Sequence, residues 1–138
     1  MQTKITKSAG FTLIEIMITV GILAIVAAVA FPSYQSQALK SKRADGIAML
    51  MEVAAKQERY LVDHSVYTSD MTKLGYATSP IASQKSYYKV SAVLSNSDLQ
   101  YTLTATAQTG QDADECGNLI LSSTGQRTWS SSTATKCW

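Results

Sequence analysis

The 21 residues from Phe11 to Phe31 carry a single charge, the acid Glu15, in an otherwise apolar run broken only by Thr12, Thr19 and Gly21. As a helix rising 1.5 Å per residue, such a run reaches about 30 Å, the hydrocarbon thickness of a bilayer. No small globular core requires so long an uninterrupted apolar helix, so the reading is a membrane-spanning segment close to the N-terminus. An ordinary secretory signal is the alternative: Lys4 and Lys7 form a basic flank, and Ala28-Val29-Ala30 resembles an A-x-A cleavage site. Two features count against it. Such signals have apolar regions of about 7 to 15 residues, and an acid near the membrane centre costs roughly 2.5 to 3.5 kcal/mol, with no return if the segment is discarded.

Orientation is left open by charge, because Lys4 and Lys7 precede the span while Lys40, Lys42 and Arg43 follow it closely. Cysteine usage breaks the tie. Cys116 and Cys137 are not spaced as a C-x-x-C pair, and the lone His64 supplies too few ligands for a Cys/His metal site, so a disulfide is the better reading. Disulfides persist in the periplasm or outside the cell, which puts the C-terminal domain across the membrane from a cytoplasmic N-terminus. The formal charge of +2 is far from that of a dedicated nucleic-acid binder. Loss of residues 1–10 would remove Lys4 and Lys7, leaving ten basic and ten acidic residues, a neutral balance suited to packing among copies.

Beyond the span, Pro32 lacks an amide hydrogen and is expected to bend a helix that continues through it. Helical periodicity resumes, with Leu39, Ile47, Leu50, Met51, Ala54 and Leu61 on one face and Lys42, Asp45, Glu52, Lys56 and Arg59 on the other. Gly46 reads as a soft spot in this helix, which is expected to run from Phe11 to about Leu61. Ser69 before Asp70–Leu74, with Gly75 after, reads as one capped helical turn. Strands are expected at residues 86–94 and 99–107, joined by a turn at Ser95–Asp98, then at 118–122 and, more weakly, 126–130. Helix first and strands after imply an α+β fold with an antiparallel sheet of about four strands. A Cys116–Cys137 bond would close the last two strands into a loop and pin Trp138 beside it.

No phosphate loop, supported pair of catalytic carboxylates or nucleophile with a partnered histidine is present, so no catalytic residue, cofactor or metal is assigned. His64 reads as a surface residue at the helix end. Tyr60, Tyr67, Tyr76, Tyr87, Tyr88 and Tyr101 read as core and sheet-edge residues rather than a stacking platform. Lys40, Lys42 and Arg43 offer a contact to phosphate of lipid or DNA, against which stands the plainer reading of a solvated helix face.

The leader Met1 to Gly10, ending Ser8-Ala9-Gly10 and followed by Phe11-Thr12-Leu13-Ile14-Glu15-Ile16-Met17, resembles the prepilin signature of type IV pilins. Pro32-Ser33-Tyr34, Arg43-Ala44-Asp45, Gln57-Glu58-Arg59-Tyr60, Tyr101–Ala105, Cys116-Gly117 and Cys137-Trp138 extend the likeness along nearly the whole chain, toward the PilE-type minor pilins. The resemblance implies the type IV pilin fold, cleavage between Gly10 and Phe11 by a membrane prepilin peptidase, and N-methylation of the new Phe11 amine by the same enzyme. It implies a leader at 1–10, a transmembrane and filament-core helix at 11–31, an amphipathic helix half at 32–62, a connecting loop at 63–85 and a disulfide-closed sheet region at 86–138. It further implies that Glu15 pairs with the Phe11 amine of a neighbouring subunit, with the major pilin, other minor pilins, the inner-membrane assembly platform and membrane lipid as partners. The subunit would wait as a single-pass inner-membrane protein with a periplasmic head, and later reside in an extracellular pilus used for twitching motility, adhesion or DNA uptake. Within the class the alternatives are a major pilin and a secretion pseudopilin, the latter weakened by the cysteine pair. Outside it the alternative is a soluble secreted binding domain released after Ala30.

Overall fold

The computed structural model describes residues 10–138, so the expected leader lies outside the described residues except for Gly10. One helix, α1 (Leu13–His64), opens the described structure, and the chain divides into two compact units at Gln35 and Ser36, each taking part of that helix.

In the first unit Thr12 caps α1. Its Oγ1 and its carbonyl oxygen both accept from the Glu15 backbone amide, at 3.3 and 3.1 Å. Thr12 and Glu15 thus stand at the spacing of a capping box, and the acid lies in the first turn, where the helix dipole favours negative charge. Ile14, Ile18, Leu23, Ile25 and Val29 all lie more than half exposed, an apolar surface on every side. The helix is long and apolar enough here to cross a membrane. Pro32 lies inside α1, where its missing donor removes one rung of the ladder.

The second unit is a helix on an antiparallel sheet. Five strands, β1 (Ile81–Ala82), β2 (Tyr88–Ser95), β3 (Gln100–Ala107), β4 (Leu119–Ser122) and β5 (Arg127–Trp129), pair in chain order. Alternation sets the inner face: Tyr88 and Val90, then Tyr101, Leu103 and Ala105, then Leu119 and Leu121 are buried. Register lines them up, with Val90 opposite Ala105 and Leu103 opposite Leu121. The expected count of about four strands is corrected by β1, two residues that pair with Lys89 and Val90. A strand of that length carries no period to read. The β2–β3 turn falls where expected, through Asn96, Ser97 and Asp98, all at positive φ.

Three helical expectations also change. The buried face of α1 comprises Arg43, Gly46, Met49, Leu50, Val53 and Gln57, while Met51 is exposed and Ile47, Ala54 and Leu61 flank the core. Small and polar residues hold positions that a purely apolar pattern gives to its neighbours. Gly46 is no soft spot: a Cβ there would lie 2.7 Å from the buried Tyr88 ring, so glycine is what lets helix and strand approach. Gln57 is fully buried because its amide both donates to the Thr68 carbonyl and accepts from the Thr68 N–H. The short turn is a 3-10 helix over Met71–Leu74, capped by Asp70 rather than Ser69 and ended by Gly75 at φ 85°.

Candidate assembly and binding surfaces

Phe11, the residue expected to become the new N-terminus, is 80% exposed, and Glu15 stands one turn further along α1. The structure therefore presents both groups of the expected charge pair at one end of the helix. Cys116 and Cys137 are bonded across 21 residues, and both are buried. Trp138 is held beyond the bond by its indole N–H, which donates to the Thr128 carbonyl at 3.0 Å, and its ring faces Arg127 at 5.4 Å.

The proposed basic contact at Lys40, Lys42 and Arg43 does not survive as a group, nor does the solvated-face reading. Arg43 is buried and grips Asp114 with two nitrogens, Nε donating to Oδ2 at 2.8 Å and Nη2 to Oδ1, while Nη1 donates to the Lys136 carbonyl at 3.0 Å. The hydrogen bond to Asp114 raises the guanidinium pKa above its ordinary value, outweighing the opposing effect of burial. Gln111 joins this cluster, donating to the Leu39 carbonyl, Tyr88 Oη and Asp114 Oδ2. Burial pushes the Tyr88 phenol up to about 12. Lys42 donates to the Gly110 carbonyl at 3.3 Å and lies over the Tyr87 ring, which leaves Lys40 as the exposed cation of the three. The cluster ties helix, loop and C-terminus together. Asp114 lies 71 residues from Arg43, a pairing that no local pattern announces.

Two tyrosines expected in the core serve one carboxylate. Tyr67 and Tyr101 both donate to Glu58 at 3.1 to 3.2 Å and meet edge to face at 4.7 Å. Burial first and Glu58 second raise both phenols above the usual tyrosine range. Tyr76 donates to Glu52 at 2.9 Å, and Lys56 Nζ sits 3.6 Å above its ring.

A depression of about 280 Å³ lies at the end of α1, lined by Lys56, Arg59, Tyr60, Asp63 and His64 from the helix and by Lys73 from the 3-10 turn. Sequence analysis placed Lys56 and Arg59 on the polar helix face, read Tyr60 as a core or sheet-edge residue and His64 as a surface residue, and joined none of them into a site. The spacing of 56, 59, 60, 63 and 64 is one helical stripe, but Lys73 joins it only through the fold. Tyr60 and His64 stack at 3.9 Å with planes 7° apart, giving the depression one flat wall. Among the described residues no group of three His, Cys, Asp or Glu side chains is placed to hold a metal.

Against this geometry stand the comparisons with known proteins. Residues 5–31 match the prokaryotic N-terminal methylation motif. The "Type IV major pilin protein PilE" of Neisseria gonorrhoeae is 35% identical over 74 residues, which is 54% of this chain and 44% of that protein. The "Fimbrial protein EcpC" of Eikenella corrodens is 32% identical over 97 residues, 70% of this chain and 61% of its own length. The chain spans about half the length of the curated relatives it matches. A solved type IV pilin from Shewanella oneidensis superposes with a TM-score of 0.54 at 27% identity, over 72% of this chain and 97% of that one. The family described as "Type IV minor pilin ComP, DNA uptake sequence receptor" matches residues 32–120, more than half the chain. Motif, fold and family model agree, and the chain belongs to this type IV minor pilin family.

Proposed function

We propose that the chain is a minor subunit of a type IV pilus that serves DNA uptake. The observation that carries this reading is the match of the DNA uptake sequence receptor family across residues 32–120, which covers most of the head rather than the shared N-terminal helix alone. Prepilin peptidase cuts between Gly10 and Phe11 and methylates the Phe11 amine; the match to the methylation motif over residues 5–31 supports this. Before assembly α1 anchors the subunit in the inner membrane, N-terminus cytoplasmic and head periplasmic. On leaving the membrane through the assembly platform, the helix packs among those of the major pilin and other minor pilins. The apolar surface on all sides of the first unit supports both states. Twitching and adhesion are further uses of the same filament.

The test is the intact mass and N-terminal residue of the mature protein from membranes, together with DNA uptake by a deletion strain. An N-methylated Phe11 start and loss of uptake with filaments still present are expected; a start at Phe31 would overturn the anchor and the filament reading with it. A second reading, a major pilin, is favoured by the names of several relatives. Its signature would be dominance of this chain in sheared filaments.

A further inference from the structure

We infer that the depression formed by Lys56, Arg59 and Lys73 seats phosphodiester groups of the DNA backbone, an inference that rests on the DNA-uptake reading above. The charge there is not internally cancelled. Lys56 is partly committed, to Glu52 at 3.5 Å and to the Tyr76 ring at 3.6 Å, whereas among the described residues Arg59 and Lys73 have no ion-pair partner, and the one acid lining the depression is Asp63. Arg59 and Lys73 are exposed, one on the helix and one on the 3-10 turn, so they approach a ligand from two sides.

Size and shape favour a segment of a polymer over a whole small molecule. At about 280 Å³ the depression falls just under the range of ~300–1,000 Å³ that encloses a complete small ligand. The flat wall of Tyr60 on His64 suits a deoxyribose or base edge beside a phosphate. The other basic group of the head is not available for this, since Arg43 is committed to Asp114 and Lys42 to Gly110 and Tyr87. Contacts of this kind position DNA and supply salt-dependent affinity without reading sequence.

The test uses the full processed chain in detergent and measures duplex DNA binding between 50 and 200 mM salt. Lys56→Ala/Arg59→Ala/Lys73→Ala is compared with Lys40→Ala/Lys85→Ala/Lys89→Ala, which removes the same charge from exposed lysines elsewhere on the head. The first variant should flatten the plot of log affinity against log salt by about one unit per lost contact, equally on two unrelated sequences, and the second much less. Because Lys56 also packs on Tyr76, Arg59→Glu/Lys73→Glu serves as a second variant that leaves that contact intact. Equal slopes in both triple variants, or a wild-type slope in the Glu pair, would overturn the site while leaving the DNA reading in place. Failure of the unmodified chain to bind any duplex would overturn both. Loss of binding to anionic vesicles, with DNA binding unchanged, would assign the depression to lipid and overturn it too.

Discussion

At the scale of single residues, Gly46 shows how much a missing atom can determine. Its absent Cβ is the space that the Tyr88 ring occupies, and that ring is fully buried with its hydroxyl tied to Gln111 and Asp114. Gly46→Ala regains about 1 kcal/mol of helix propensity but forces a packed core apart, which costs about 1 to 3 kcal/mol. The ring is fully buried and its hydroxyl is held at the far end, so we expect a net loss, read as a lower urea midpoint. Arg43→Ala should cost more. It leaves Asp114 buried without its cation, a change worth about 3 to 5 kcal/mol, and it also frees the Lys136 carbonyl. The tyrosines give a pH signature. Tyr88 holds its proton up to about 12 in the folded head, against about 10 when unfolded. Between those values the unfolded chain binds fewer protons, so stability is complete below pH ~10 and falls as pH rises toward 12. Tyr101, Tyr67 and Tyr76 shift the same way. Thermal midpoints taken across this window should fall, and Tyr101→Phe, which cannot ionise, should make the fall shallower.

At the scale of elements, what was legible in the sequence depended on whether local residues decided it. The β2–β3 hairpin was legible because Tyr88, Val90 and Ala92 alternate with Lys89, Ser91 and Val93, and because Asn96-Ser97-Asp98 tolerates a left-handed turn. The helix was legible in extent, but its buried face was not, because Gly46, Arg43 and Gln57 are buried through partners on other elements: Tyr88, Asp114 and Thr68. Strand β1 escaped for the opposite reason, being too short for any period. The disulfide was readable from the spacing of the two cysteines, and its role can be tested at this scale. Cys116→Ser/Cys137→Ser opens a loop of 21 residues, for which chain entropy gives about 3 kcal/mol, and releases Trp138 and the Lys136 carbonyl together. The expected result is a lowered urea midpoint with limited proteolysis starting in residues 130–138, while the N-terminal half of the sheet keeps its protection.

At the scale of the whole molecule, the proposed function asks one chain to be stable in a bilayer and then in a filament, and Glu15 is where those two demands would meet. The apolar surface of the first unit serves both environments equally, so it cannot by itself drive the exchange. An acid in the apolar phase costs roughly 2.5 to 3.5 kcal/mol wherever it stays unpaired. Cleavage after Gly10 would create the complementary charge, an amine on Phe11, at the same end of the helix. Within one subunit Glu15 is already placed by the Thr12 cap, whose bonds go to its backbone amide rather than to its carboxylate. We propose that pairing between subunits would lower the energy of the assembled state relative to the membrane state, which the apolar residues alone would not achieve. Glu15→Gln keeps shape and removes the charge. It should be cut and methylated normally, giving a Phe11 N-terminus by mass spectrometry, yet remain in the membrane fraction and be depleted from sheared filaments by tenfold or more, on the order of the 1.4 kcal/mol that a tenfold change represents, or beyond it. Incorporation at the wild-type level would show that the helix enters the filament on packing alone and that the acid serves only the helix dipole.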